Sequence, residues 1–303
     1  MDVLSSILDS VKLKAVVYQR ARFTTQWGIQ VAHDSNSQFW RLVKGTCYVI
    51  IPGEETIKMA VGDFVYVPHG SAHQICSKPG TRCMPAGYYV KQLQDKKPVF
   101  DGDEEETILI GGHFEFNSAT PHPFITSLPK VIHIDNTNVE VSLWMQNIAS
   151  FMNEEVCNEK LGGKVILGRL AEVLFILIMR SYLQRTNVEE GFLLALKDER
   201  ISNSLKVMHQ WPERDWDLLQ LSAAAGMSRS LYAKEFKRLA GDTPLGYLTN
   251  WRILKAKEFL LDSKKNVIEI AVAVGYQSEA AFNRIFKSKV GETPASYRRR
   301  VLS

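Results

Sequence analysis

The sequence predicts a multi-domain α+β protein with an N-terminal β-barrel body, a helical hairpin behind it, and an all-α C-terminal domain of two helix-turn-helix modules. Three observations carry this reading. Up to about Phe116 the chain is cut into short β-branched and aromatic runs separated by turn residues. After Asn138 the apolar residues fall at helical spacing, and beyond residue 215 the chain repeats itself. A length of 303 residues fits two domains of roughly 100–200 residues each.

The elements follow in order. Leu4, Ile7, Leu8 and Val11 are spaced for a short amphipathic helix. Strands are expected at Phe39–Val43, Cys47–Ile51, Thr56–Ala60, Phe64–Val67, His73–Ile75, Gly87–Val90 and Thr107–Ile110, with Lys44-Gly45, Pro52-Gly53-Glu54 and Pro68-His69-Gly70 as turns. Val141, Trp144, Ile148, Phe151 and Met152 are expected along one helix face, followed by a strongly apolar helix from Val165 to Leu183. Thr186–Lys197 reads as a hinge. The domains are accordingly drawn at 1–135, 136–197 and 198–303, with the middle hairpin as a candidate dimerisation element.

Composition narrows the function classes. With 45% hydrophobic and 23% charged residues the chain is neither disordered nor a disulfide-dense scaffold. The longest apolar run, Val173–Met179, is far short of the ~20 residues a bilayer span needs, so no membrane partner is expected. The N-terminus shows no basic region ahead of its apolar residues, and Cys47, Cys76, Cys83 and Cys157 form no C-x-x-C pair. A reducing, cytoplasmic location follows. Cys76 and Cys83 flank a Lys78-Pro79-Gly80 turn and read either as small hydrophobes or as a redox switch. Residues 201–303 hold 17 of the 37 lysines and arginines but only 10 of the 33 aspartates and glutamates. That basic third suggests a polyanion-binding module on a mildly acidic body.

The repeat is the sharpest signal. Ala225-Gly226-Met227-Ser228, Phe236-Lys237, Gly241-Asp242-Thr243-Pro244 and Tyr247 recur as Val274-Gly275-Tyr276-Gln277-Ser278, Phe286-Lys287, Gly291-Glu292-Thr293-Pro294 and Tyr297. Each copy reads as helix, glycine corner, helix. Asp217 caps the first, with Leu218, Leu221 and Ala225 as its buried stripe, and Gly226 supplies the positive φ of the corner. Ser228 caps the next helix, where Leu231 and Phe236 face inward. In the second copy Val267, Ile270, Ala271 and Val274 form the stripe, Gly275 turns, and Phe282 and Phe286 face inward. The outward residues are small, polar or basic, as a major-groove helix requires: Ser228, Arg229, Ser230, Ala233, Lys234, Lys237 and Arg238, then Gln277, Ser278, Glu279, Ala280, Asn283, Arg284 and Lys287. Pro244–Leu261, about 27 Å long as a helix, spans enough to set two such helices near the ~34 Å separation of successive groove faces.

Residues from about Ile201 to Arg300 resemble the AraC/XylS-type DNA-binding domain, through Gly275-Tyr276-x-Ser278-x-x-x-Phe282-x-Arg284-x-Phe286-Lys287 and Gly291-x-Thr293-Pro294-x-x-Tyr297-Arg298. Gly62-Asp63-x-x-x-x-Pro68-x-Gly70-x-x-His73 resembles the second motif of the cupin barrel. Phe114-x-Phe116 and Ser127-Leu128-Pro129 resemble the cupin-type sensor joined to that domain in one branch of the family. The resemblance implies a sequence-specific transcription regulator, leaning towards activation, that binds promoter or operator double-stranded DNA and has RNA polymerase, a small-molecule effector and a second copy as candidate partners. It also implies Ser230, Ala233 and Lys234, then Glu279, Ala280, Asn283 and Arg284, as base readers. Trp40, Tyr48, Tyr66, His73 and Tyr88 are the candidate lining of a barrel pocket, or simply barrel filling. The alternative is a metal-dependent cupin enzyme carrying a DNA-binding tail. Against it, the hairpin Gln38–Tyr48 lacks the H-x-H that metal cupins use, and His69 and His73 would diverge on a turn and strand. No cofactor, metal or catalytic residue is therefore expected. His113, His122 and His133 stand alone, and Pro121-His122-Pro123 reads as a rigid extended segment.

Overall fold

Strands β1 (Leu13–Phe23), β2 (Gly28–Val31), β3 (Ser37–Lys44), β4 (Cys47–Ile50), β5 (Ile57–Met59), β6 (Phe64–Val67), β7 (His73–Cys76), β8 (Met84–Pro85), β9 (Thr107–Phe116) and β10 (Ile132–Ile134) form two five-stranded sheets. Their orders are β1-β9-β3-β6-β10 and β5-β4-β7-β2-β8. The structure is a computed structural model that describes every residue except 1, 12, 96, 98, 117–121, 136–138, 159–160, 186–190, 263 and 303. Around the strands run α1 (Val3–Val11), α2 (Ala86–Gln94), α3 (Pro123–Thr126), α4 (Val139–Asn158) and α5 (Gly163–Arg185). The C-terminal helices are α6 (Phe192–Lys197), α7 (Glu199–Gln210), α8 (Leu218–Ala224), α9 (Arg229–Ala240), α10 (Pro244–Asp262), α11 (Val267–Ala273), α12 (Glu279–Val290) and α13 (Pro294–Leu302).

The chain divides into two compact units, and their boundaries differ from a simple cut along the sequence. One holds 13–116 and 128–186; the other holds 1–12, 117–127 and 187–303. Helices α1 and α3 thus belong with the C-terminal helices, because their apolar faces are buried there: Ile7 and Phe124 are fully enclosed.

Alternation sorts the barrel residues. Ala21, Phe23, Leu42, Val49, Val65, Val67, Ile75 and Leu109 fill the interior. The residues between them on the first sheet, Phe39, Phe64, Tyr66 and Phe114, face the other way, and Tyr66 and Phe114 pack edge-on against Phe175 of α5. The hairpin α4–α5 therefore covers one sheet.

Four expectations are corrected. Gly87–Val90 is not a strand but lies in α2, where Ala86 and Tyr89, at i and i+3, reach the barrel core. On α4 the buried face is Met145, Ile148, Ala149 and Met152; Trp144 and Phe151 are 65% and 61% exposed, and the side chain of Val141 lies outside the described residues. Phe192–Lys197, read as hinge, is a helix with Phe192, Leu193 and Ala195 buried, while 186–190 lie outside the described residues. Leu231 points to solvent and its neighbour Tyr232 is the buried residue of α9, matching Phe282 one repeat later.

Candidate nucleic-acid interface

Each module is built the same way from its sequence. Asp217 and Gln220 form a capping box at the start of α8, and Asn266 and Glu269 form its counterpart at α11. The corners carry Gly226 at φ +62° and Gly275 at φ +88°, a region closed to most side chains. Helices α9 and α12 then begin at residues exactly 50 apart and run 12 residues each. Ser278 accepts a hydrogen bond from the Ala281 N–H, whereas Ser228 occupies the cap position without making that bond.

One face of each helix is locked into the protein and the opposite face is free. Tyr232, Phe236, Leu239 and Ala240 of α9, and Phe282 and Phe286 of α12, are buried. Ser228, Arg229, Ser230, Lys234, Lys237 and Arg238 are exposed, with Ala233 half-buried beside them. Gln277, Ser278, Glu279, Ala280, Arg284 and Lys287 are likewise exposed, with Asn283 half-buried. All fourteen predicted residues thus lie on the solvent side of two equivalent helices, as phosphate and base-edge contacts require. The charges differ between modules. Arg238 is held by Glu235 at 2.8 Å, and Asn283 leans on Glu279 at 3.5 Å, so α12 opens with an acid where α9 opens with Arg229.

The helix α10 between them lies within the same unit and covers Pro244 to Asp262. Its Arg252 donates to the carbonyls of Pro212 at 2.7 Å and Arg214 at 2.6 Å, tying the segment between α7 and α8 to the connecting helix. Arg298 of α13 likewise donates to the carbonyls of Leu260 at 2.9 Å and Lys265 at 2.7 Å, tying α13 to the end of α10 and the segment that follows it. Arg252 and the signature residue Arg298 are therefore structural.

A family model described as Cupin matches residues 2–184, and one described as Helix-turn-helix domain matches 221–300. The chain is 27% identical over 303 residues to an AraC-like transcription regulator of Streptomyces lividans, covering 99% of this chain and 98% of that protein. It is 26% identical to the HTH-type transcriptional regulator AlkR of Acinetobacter baylyi, covering 98% and 99%. Among solved structures it is similar to the DNA-binding domain of AdpA in complex with a target DNA, at 31% identity and a TM-score of 0.32 over 33% of this chain and 90% of that one. The chain belongs to the AraC-type transcriptional regulators with an N-terminal cupin domain.

In this AraC-type regulator the five barrel residues do not share one cavity. Trp40 and His73 meet inside the barrel, where the Trp40 indole N–H donates to His73 Nε2 at 2.9 Å. Tyr66 is on the opposite face of its strand against Phe175. Tyr48 alternates with the buried Cys47 and Val49 and points away from the core, and Tyr88 is 53% exposed on α2. Strand alternation, which sends successive residues to opposite faces, separates them.

His73 is fully engaged. Its Nε2 accepts from Trp40, so Nδ1 carries the proton and donates to the Ser71 carbonyl at 2.8 Å. Burial pulls its pKa down and keeps it neutral. His69 bonds the Leu128 carbonyl at 2.8 Å, and His133 bonds Asp63 at 3.0 Å. Among the described residues no three His, Cys, Asp or Glu side chains converge as a metal site. Cys47, Cys76 and Cys83 are free thiols; burial pushes Cys76 up to about 11 and Cys83 upward, which disfavours the reactive thiolate. Among the described residues no helix is long and apolar enough to cross a membrane.

The sequence reading missed one buried cluster, His122, Phe192, His209, Tyr247 and Trp251. Its members come from three distant stretches of chain. No local pattern joins them.

Proposed function

We propose that the chain is a sequence-specific transcriptional activator that reads two adjacent major-groove segments with α9 and α12. The observation that carries this is the pair of equivalent helices, each anchored by buried aromatics and each presenting its predicted base readers and basic residues to solvent. Ser230, Ala233 and Lys234, then Glu279, Ala280, Asn283 and Arg284, are the base readers; Ala233 and Ala280 offer only apolar contacts, suited to a thymine methyl. Lys237 and Lys287, one turn further on, hold phosphates.

The cupin unit is the regulatory input, RNA polymerase is the downstream partner, and the cytoplasm is the site of action. A second copy is the natural cover for α4 and α5, whose outer surface leaves Leu143, Trp144, Phe151, Val165, Ile166 and Val173 exposed. The test is retention of genomic fragments by the purified full chain, followed by footprinting on the enriched sequence. A protected site of two segments one helical turn apart is expected; equal retention of all fragments at physiological salt overturns the reading.

A further inference from the structure

One cross-strand row on the outer face of the first sheet runs Arg20, Ile110, Arg41, Phe64 and Ile134 across β1, β9, β3, β6 and β10. Ile110, Phe64 and Ile134 are buried. The two arginines pair with the same Ile110 from either side, which sets their backbones two strand spacings, roughly 10 Å, apart on one face. Both arginine side chains leave that face, one on each side of Ile110.

Among the described residues no hydrogen bond or ion pair reaches either guanidinium. Arg20 Nε is buried without a hydrogen bond. Arg41 is half-buried, and desolvation alone pulls its pKa down to about 10, with no carboxylate opposing it. The acid in the adjoining row, Glu106, is already taken: it accepts from Arg22 and, at 2.7 Å, from Lys44, which hold it down at about 2. The face therefore carries Arg20, Arg22, Arg41 and Lys44, and its carboxylate Glu106 is satisfied by Arg22 and Lys44 alone. Keeping a guanidinium half-buried and unpaired costs free energy that an apolar residue would not. Planar donor forks of this kind suit carboxylate and phosphate oxygens.

We propose that Arg20 and Arg41 form an oxyanion-binding site on the cupin unit, for a carboxylate or phosphate group of a small molecule. As the chemical class of the regulator's effector this rests on the regulatory reading above; as a binding site it stands without it.

The test is thermal unfolding of the full chain, without DNA, in sodium phosphate, sodium acetate and sodium chloride at matched pH and ionic strength. At least one oxyanion is expected to raise Tm by about 2 °C or more over chloride. A rise in phosphate alone assigns a phosphorylated ligand, and a rise in acetate a carboxylate. Arg41→Met is expected to lose that increment while keeping a Tm in chloride at or above the unsubstituted chain; Arg41→Lys, which keeps the charge but not the fork, retains part of it. No increment with either oxyanion overturns the proposal, as does an increment unchanged in Arg41→Met and Arg20→Met. Because DNA is absent, failure here is separate from failure to bind an operator.

Discussion

His122 Nε2 lies 3.1 Å from the Tyr247 hydroxyl, 125 residues away in the chain. The bond has a direction. The Phe124 N–H donates to His122 Nδ1 at 3.1 Å, so the proton of this neutral ring is on Nε2 and is donated to Tyr247. The tyrosine hydroxyl in turn donates to His209 Nε2 at 2.7 Å, and His209 stacks on Trp251 at 3.7 Å. Short α3 is thereby fastened to α10, and through it to α7, by its own cap residue. Tyr297, the repeat's second tyrosine, sits instead, among the described residues, against Phe286, Lys257 and Arg300.

Removing the middle of this chain strands both rings. Tyr247→Phe keeps the packing and deletes the hydroxyl, and a loss of about 1–3 kcal/mol is expected. Denaturant unfolding checks it; a change under a few tenths contradicts the bonding pattern.

Acid sensitivity follows from the same pair. Burial holds His122 down at about 3 and His209 well below the ordinary histidine range, so the unfolded chain binds more protons than the folded one below about pH 6.5. Their stabilising effect is complete above that pH and is lost as pH falls below it, for His122 down to about 3. The expected slope approaches about 1.4 kcal/mol per pH unit for each histidine. His209→Gln should make the stability–pH curve shallower by one proton between about pH 6 and 4.

The proposed DNA interface predicts two kinds of variant. Lys234→Ala and Arg284→Ala should each weaken operator binding by about 1–3 kcal/mol and relax the preference at one base pair. Lys237→Ala and Lys287→Ala should weaken all sequences alike and lower the salt slope by about 1. Fluorescence anisotropy on an operator and scrambled duplex at several salt concentrations separates the two patterns.

The two corner glycines should not respond equally. A Cβ at Gly226 meets nothing within 4 Å, so Gly226→Ala carries only the conformational strain of φ +62°, about 1 kcal/mol. At Gly275 a Cβ falls 2.8 Å from Arg252 Nη2 and 2.9 Å from the Glu213 backbone. Gly275→Ala should therefore cost distinctly more in thermal unfolding, since the Arg252 clamp has to move.

Inside the barrel, Gly111 faces the Trp40 ring, where a Cβ would lie 2.5 Å from it. Gly111→Ala is expected to displace Trp40, break its bond to His73 and cost about 1–3 kcal/mol, as overpacked cores do. Chemical unfolding reads the loss.

The sequence by itself determined the two classes of structure, the twin modules and the exposed side of α9 and α12, though it set Leu231 inward where Tyr232 is the buried residue. These rest on local signals: period, caps, corner glycines and a repeat that states the same pattern twice. Trp144 and Phe151 escaped because helical spacing names a stripe of apolar residues without saying which side of it another element covers. Tertiary structure alone decided the rest. Strand alternation sent Tyr66 to the helices and Trp40 with His73 to the barrel, and the pairing of β1, β9 and β3 brought Arg20 and Arg41 into one row. Folding back of residues 122–127 made a solitary histidine the partner of Tyr247. Such contacts depend on register and on chain reversal over tens of residues, and neither is written in the spacing of neighbouring side chains.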